Sequence, residues 1–460
     1  MRKENLTVLI VICLGTFFHI QSIGSINVSL SAIQKDFGAS LAAVQWIGLM
    51  GAIMLCSLSL CFGRAGDLIG RKTVFKLGLT LYTLGAGLAA FSGSFTRLLV
   101  FRCVMALGLT MAAPLAGAII ASVYPHEIRG QALGLLASSV ALGRTTGPTI
   151  GGFILQLWGW RGVFLANFLF GIPTCLTLFW VLRSGEERRK GSFDFLGAVF
   201  LIIGFPSVLI ALSLGARSDW ESPGIVLWFA LAAAGLASFV WREFRARAPL
   251  MNLVYLKNRS LATALLSLVL ATIVFYPISI FGALYMQNVI QASPLSVGLA
   301  MATLPLCTTL LSLLSGRMAD RLNPKWIATL GLFFILLGLF FYARLGVGST
   351  MGWSVLVLSL LGAGIGLFMP ANEKLAFSTV PNQDYGMLSA MLTSFGTGSG
   401  ALGTAVAVAL AAAARKEAVI EGPAGFAHAQ QFAFSSLLPL AALAVLVRLM
   451  VRSKRASRDI

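Results

Sequence analysis

Few side chains in this sequence sit where they could hold a proton away from water, and their scatter decides which chemistry is open to it. His19 stands in an apolar run three residues before Ser22, hence on the same helical face. Histidine titrates near neutrality and suits a proton that is taken up and released; the alternative is a ring bonded to a nearby hydroxyl or to the backbone. Arg102 and Arg144 lie in other apolar runs, where an arginine is costly unless paired or hydrated. Glu373 follows Gly362-x-Gly364-x-Gly366 and Pro370, a flexible stretch, and is either a pathway carboxylate or an edge group paired with Lys374. With Ser22, Asn27 and Asn167 these residues form a candidate proton and substrate pathway. None is a nucleophile with a base beside it. The three histidines (His19, His126, His428) fall on separate segments, the six cysteines make no CxxC or metal spacing, and no GxxxxGK[ST] occurs. The pattern argues against an enzyme, a metal site, a cofactor and nucleotide-driven work.

The elements that carry these residues are membrane helices. Of the 460 residues 58% are hydrophobic and 11% charged, against about 25% charged in soluble domains. Lipid must therefore solvate much of the chain. About fourteen apolar runs are long enough to cross a bilayer. The first, from about Leu6 to Leu30, is longer than a signal-peptide core and reads as a retained helix. The net charge of +18 does not point to nucleic acid, because it sits in short clusters between runs: Arg71-Lys72, Arg188 to Lys190, Arg242 to Arg247 and Arg452 to Arg458. With the N-terminus in the cytoplasm, about 25 Lys and Arg fall on the cytoplasmic side and about 7 outside. Both termini are expected in the cytoplasm, with an even number of crossings.

The sequence repeats itself. Gly63-Arg64-x-x-Asp67 recurs 253 residues later as Gly316-Arg317-x-x-Asp320-Arg321. Pro125-x-Glu127-x-Arg129-Gly130 resembles Pro381-x-x-Asp384-Tyr385-Gly386, with the glycines 256 apart. Two similar offsets imply duplicated halves related about the membrane normal. The first half needs only about 180 residues, so the surplus reads as an insertion. The expected organisation is a six-helix bundle over 1–182, a two-helix insertion with basic linkers over 183–259, and a six-helix bundle with a basic tail over 260–460.

Two further patterns carry a family resemblance. Gly63-Arg-Ala-Gly-Asp67-Leu-Ile-Gly70-Arg71-Lys72 follows the second run; its glycines permit a tight turn, Asp67 suits a helix N-terminus, and the Arg-Lys pair suits a carboxylate or anionic lipid. Gly143-Arg-Thr-Thr-Gly147-Pro148-Thr-Ile-Gly151-Gly152 lies in the fifth run, with small residues at helical spacing for close packing and a proline that removes one backbone bond. These resemble the loop signature and the exporter-associated signature of the fourteen-helix drug:proton antiporter family of the major facilitator superfamily. The resemblance covers nearly the whole chain. It implies an all-α polytopic fold of two six-helix bundles plus a two-helix insertion, in a bacterial-type inner membrane, as a monomer. It also implies that the loop residues Gly63, Asp67, Gly70, Arg71 and Lys72, with Gly316, Asp320 and Arg321 in the second copy, gate conformational switching, and that Arg102 tunes a proton site. Trp160-Arg161-x-x-Phe164-x-x-Asn167, Phe193-Asp194-x-x-Gly197 and Pro249-Leu250 also look familial.

The sequence departs from that family in its first run. Gln21-Ser22-Ile-Gly-Ser-Ile-Asn27-Val28 places Ser22 where the family has a membrane aspartate, and Met105-Ala106 stand where it has Gln and Gly. None of the sixteen Asp and Glu lies in the middle of a first-half run, whereas Arg102 and Arg144 do. The expectation is therefore an exporter of drug-like or other small amphipathic molecules coupled to protons, with neutral or anionic cargo favoured over permanent cations. The alternative is a carrier of an endogenous metabolite, lipid or organic anion, with or without protons.

Overall fold

Lipid offers no hydrogen bonds, so each crossing segment must satisfy its own backbone, and helices do so. The structure, a computed structural model, describes residues 3–39, 41–182, 192–215, 222–246, 249–418 and 422–450. The basic clusters at Arg188 to Lys190 and Arg452 to Arg458, and Arg247, lie outside the described residues. The described residues form α-helices and two short 3-10 turns, without strands. In order the helices are α1 Lys3–Phe37, α2 Leu41–Ile69, α3 Arg71–Ala90, α4 Phe95–Val123, α5 His126–Val181, α6 Phe195–Gly215, α7 Pro223–Arg245, α8 Arg259–Phe275, α9 Ile278–Asn288, α10 Pro294–Arg321, α11 Pro324–Tyr342, α12 Met351–Phe377, α13 Tyr385–Ala418 and α14 Gly422–Met450.

Among the described residues twelve segments are long and apolar enough to cross a bilayer, where the sequence leads one to expect about fourteen. The difference has local causes. α5 runs for 56 residues and unites the fifth and sixth apolar runs; only Gly159, with φ 67° and ψ −174°, leaves helical geometry inside it. The chain kinks there, so the 56 residues are two helices joined end on, and at ~1.5 Å per residue their summed length is about 84 Å against about 30 Å of hydrocarbon. The seventh run forms the 21-residue α6, Phe195–Gly215, which is not among the twelve.

The described residues group into two compact units. The first takes the chain up to Pro125, Leu135–Leu253 and Val380–Thr397; the second takes His126–Gly134, Val254–Thr379 and the chain from Gly398 onward. In the first unit α3 and α4 meet along a seam of glycines. A Cβ on Gly78 would lie 2.7 Å from the Gly108 carbonyl oxygen, and one on Gly85 would lie 2.9 Å from the Met105 nitrogen. In the second unit α11 and α12 meet in the same manner: a Cβ on Gly331 would lie 2.7 Å from the Gly364 oxygen, and one on Gly338 2.7 Å from Leu361 Cγ. Gly331 and Gly338 stand 253 residues after Gly78 and Gly85, so the repeat extends from the loops into the packing. Apolar burial does not hold helices together in lipid, and close backbone approach supplies the dispersion contacts instead.

α1 and α5 share a third seam. Cβ atoms on Gly143, Gly147 and Gly151 would lie 2.8 Å from the Phe17 oxygen, 2.5 Å from the Gln21 oxygen and 2.6 Å from Ser25 Cβ. Ser25 Oγ donates to the Gly147 carbonyl at 2.8 Å, and Gln21 Nε2 donates to Ser25 Oγ at 2.7 Å. Lysines close two helix ends. Lys76 Nζ donates to the Leu182 carbonyl at 3.1 Å after α5, and Lys325 Nζ to the Leu449 carbonyl at 3.3 Å in α14. A cation there meets unsatisfied carbonyls and the negative end of the helix dipole. The hairpin of α6 and α7 is tied at one end by Asp194, which accepts from Gly197 N at 3.2 Å as an N-cap and from Arg242 Nε at 3.0 Å.

Beyond the apolar part of α1, Asp36 accepts from Trp160 Nε1 at 3.0 Å and from Arg161 Nη1 at 2.8 Å. The Trp160 hydrogen bond, and then that of Arg161, hold this carboxyl below its ordinary range. Its contribution is thus complete above the ordinary carboxylate range and is lost as pH falls through the lowered value. Asp36→Asn is expected to lower the thermal midpoint in detergent at pH 7, with the gap to the unaltered protein closing on acidification; a gap independent of pH contradicts this account. On the α1–α5 seam, Gly151→Leu is expected to destabilise by about 1–3 kcal/mol through overpacking. Gly152→Ala, where an added Cβ meets nothing within 4 Å, is expected to be neutral in the same melts.

Candidate functional site

A carboxylate buried near lipid must find donors that do not themselves need lipid, and the start of a helix supplies them. Asp67 near the end of α2 is 3% exposed. It accepts from the backbone N–H groups of Gly386 at 2.9 Å and Met387 at 2.8 Å, in the first turn of α13, and from Arg71 Nε at 2.8 Å. Arg71 also donates to the Asn382 carbonyl, and its guanidinium lies 5.7 Å from the Tyr385 ring centre. Gly70 makes the turn that sets Arg71 at the head of α3; its φ of 111° is a conformation side chains resist. Gly63, one helical turn before Asp67, lets α2 approach Gly386 and Ala390. Lys72 is half-buried beside them.

The second copy of the motif does the same in the second unit. Asp320 accepts from Gly130 N and Gln131 N near the start of α5, both at 2.8 Å, and from Lys374 Nζ at 2.5 Å. A Cβ on Gly130 would lie 2.6 Å from Asp320 Oδ1, and Gly316 packs against Gln131. Arg321 is exposed. The two sequence repeats are thus joined crosswise: the aspartate of the first meets the glycine pair of the later copy, and the aspartate of the second meets the glycine pair of the earlier one. The cations differ. Pro324 stands 253 residues after Arg71, and Lys374 of α12 takes the place of that arginine. This also corrects the pairing of Lys374 with Glu373. Lys374 is engaged by Asp320 and by the Ala319 carbonyl at 3.0 Å. Glu373 is half-buried on α12, with no hydrogen bond or ion pair among the described residues.

In the first unit His19 and Ser22 do share a helical face. Ser22 Oγ donates to the His19 carbonyl at 2.8 Å and accepts from the Tyr82 hydroxyl. The His19 ring lies 4.3 Å from that of Tyr82, and its Nε2 has no hydrogen-bond partner among the described residues. Arg102, 3% exposed on α4, donates from Nε to the Ile47 carbonyl at 3.2 Å. His19, Ser22, Tyr82 and Arg102 form a buried polar group. The other pathway candidates stand differently. Asn27 and Arg144 are exposed, and Asn167 Nδ2 returns to the Val163 carbonyl of its own helix at 2.8 Å. Pro148 is exposed, with Gly143, Gly147 and Gly151 serving the α1–α5 seam and Gly152 half-buried away from it.

Sequence reasoning missed Tyr82 and the engagement of Lys374 by Asp320. Both side chains are polar groups inside apolar runs and were open to notice on that ground. It also missed a buried pair in the second unit, where Arg448 Nη2 donates to Asn372 Oδ1 at 2.8 Å and Asn372 Nδ2 to the Ala264 carbonyl at 3.2 Å. Among the described residues no group of three or more His, Cys, Asp or Glu side chains is placed to hold a metal ion.

Comparison with known proteins adds a consistent result. A family model described as Major Facilitator Superfamily matches residues 12–404 and, in a second match, residues 263–458. The multidrug resistance protein Stp of Mycobacterium tuberculosis is 27% identical over 399 residues, covering 86% of this chain and 73% of that protein. The riboflavin transporter RibZ of Clostridioides difficile is 26% identical over 411 residues, covering 88% of this chain and 87% of that one. Among solved structures, the human organic anion transporter MFSD10 (TETRAN) has a TM-score of 0.71 at 18% identity over 97% of this chain and 100% of that one, a likeness of fold. The chain belongs to the Major Facilitator Superfamily, as a multi-pass membrane transporter and not an enzyme.

Proposed function

We propose that the chain is a secondary active exporter that moves drug-like or other small amphipathic molecules against proton influx by alternating access. The observation that carries this reading is the crosswise pair of carboxylate contacts, Asp67 with Gly386 and Met387, and Asp320 with Gly130 and Gln131. Each joins the loop of one sequence repeat to a helix start of the other. A hydrogen bond to a charged group contributes about 1.5–3 kcal/mol, so each contact biases one conformation by several kcal/mol. Cargo and protons shift such a balance only by binding the two states unequally. The residues of both loops, Gly63, Asp67, Gly70, Arg71 and Lys72 with Gly316, Asp320 and Arg321, act as the cytoplasmic gate in this reading. His19 holds the proton where the family's aspartate would, with Ser22, Tyr82 and Arg102 around it.

The topology that goes with this has fourteen crossings. The length of α5, its break at Gly159 and the 21 residues of α6 support two crossings in α5 and one in α6. The organisation is then 1–182, 183–259 and 260–460, a single copy in a bacterial inner membrane with both ends in the cytoplasm, as the distribution of Lys and Arg favours. The helix-five signature Gly143 to Gly152 favours export. A second reading, carriage of an organic anion or an endogenous metabolite, is favoured by Arg102 and Arg144 in a first half without a mid-span carboxylate. The names of RibZ and MFSD10 show that relatives and fold neighbours include such carriers.

The test is transport into inverted vesicles under an imposed pH gradient, with cationic, neutral and anionic compounds side by side. Acid-inside vesicles are expected to accumulate neutral or anionic amphipathic compounds. His19→Ala is expected to abolish dependence on the gradient while leaving downhill movement. Gradient-independent transport by the unaltered protein sinks the proton coupling, and strong transport of permanent cations sinks the preference for neutral or anionic cargo. Asp67→Asn, which sets an amide against the start of α13, is expected to slow transport about tenfold at unchanged membrane content.

A further inference from the structure

The two-helix insertion ends in a buried carboxylate that the transport reading does not use. Glu243, in the last turn of α7, is 4% exposed. Its carboxylate accepts from the backbone N–H of Leu250 at 3.2 Å and of Met251 at 2.9 Å, in the linker that follows the insertion. Leu250 is fully buried and Met251 nearly so, so the linker is held down and not draped over the surface. The next residue, Asn252, donates its N–H to the sulfur of Met387 at 3.3 Å. Met387 is the residue whose own N–H reaches Asp67 at 2.8 Å. One chain of contacts therefore runs from the insertion, through Glu243 and residues 250–252, to the helix start that receives the gating carboxylate. Every link lies within the first unit.

We infer that Glu243 is a positioning residue of the cytoplasmic gate: by pinning the linker it fixes Asn252 under Met387 and so aligns the α13 amides on Asp67. An acceptor is needed there because two amides of one non-helical segment converge on this carboxylate, no other acceptor for them occurs among the described residues, and leaving them unmet in a buried site is costly. Asp194 and Arg242 lie close by, but they serve the start of α6. The insertion thereby sets how firmly the gate closes. At the second gate Lys374 supplies the extra contact to Asp320 from within its own unit.

The inference rests on the gating role given to Asp67, and the test separates the two. Ser59 and Ser394 touch through their hydroxyls, on the α2 and α13 faces beside the gate. In the full chain with its six native cysteines replaced, Ser59→Cys with Ser394→Cys reports closure by the rate of oxidative cross-linking in native membranes. Asp67→Asn is expected to slow that rate about fivefold, a coupling of the usual allosteric size. Glu243→Gln and, independently, Met387→Leu, which keeps the backbone N–H and the volume but loses the sulfur, are expected to slow it as well. Neither is expected to slow it further on the Asp67→Asn background. If Asp67→Asn slows cross-linking while Glu243→Gln and Met387→Leu do not, or add their effects to it in full, the positioning role is wrong. If Asp67→Asn itself leaves the rate unchanged, the gating role beneath it fails instead. Should Glu243→Gln not accumulate in membranes, the Met387→Leu pair of measurements decides.

Discussion

A charge at the edge of lipid must be matched by groups that already need a partner, and this requirement shapes both crosswise contacts. Asp67 and Asp320 each face two backbone N–H groups near a helix start and one basic side chain. Helix starts are where amides lack internal acceptors and where the dipole favours negative charge. The contacts are therefore complete electrostatically while remaining small in area. The glycines around them, Gly63, Gly130 and Gly316, allow the backbones to come near enough for the amides to reach.

The same logic distributes rigidity. Where glycines line α3 against α4, α11 against α12 and α1 against α5, backbone meets backbone and little adjustment is open. Where side chains carry a titratable or mobile group, the packing is aromatic and polar. His19 lies over Tyr82 with Ser22 between hydroxyl and carbonyl, and Arg102 is anchored to the Ile47 carbonyl of α2. The missing family aspartate at Ser22 is compensated in shape, since Tyr82 fills the hydrogen bond to that position. It is not compensated in charge, and the first half keeps Arg102 and Arg144 without a carboxylate in the middle of its spans.

Much of this was legible in the sequence, because the physics behind it is compositional or periodic. Long apolar runs, basic clusters and the paired offsets of Gly63 with Gly316 and of Gly130 with Gly386 led to an all-helical, duplicated membrane transporter. The runs did not reveal where one helix ends and the next begins, since Gly159 interrupts α5 with a single residue. They did not reveal which repeat meets which, because a crosswise pairing depends on three-dimensional approach and leaves each motif unchanged as a string. Lys374 looked like the neighbour of Glu373; a helix turns adjacent residues about a hundred degrees apart, and Lys374 faces Asp320 instead. Asn27, Arg144 and Asn167 were singled out by polarity alone, which does not tell the face a helix turns inward.

The glycine seams have an evolutionary consequence. They occupy one stripe of each helix concerned, and substitution on that stripe forces backbones apart. Faces that do not touch a seam escape this penalty and drift under looser constraint. A lineage built on such a frame changes the shape and polarity that its cargo meets without having to reinvent how its rods fit together. Diversification of specificity then becomes a matter of surface turnover on a conserved skeleton.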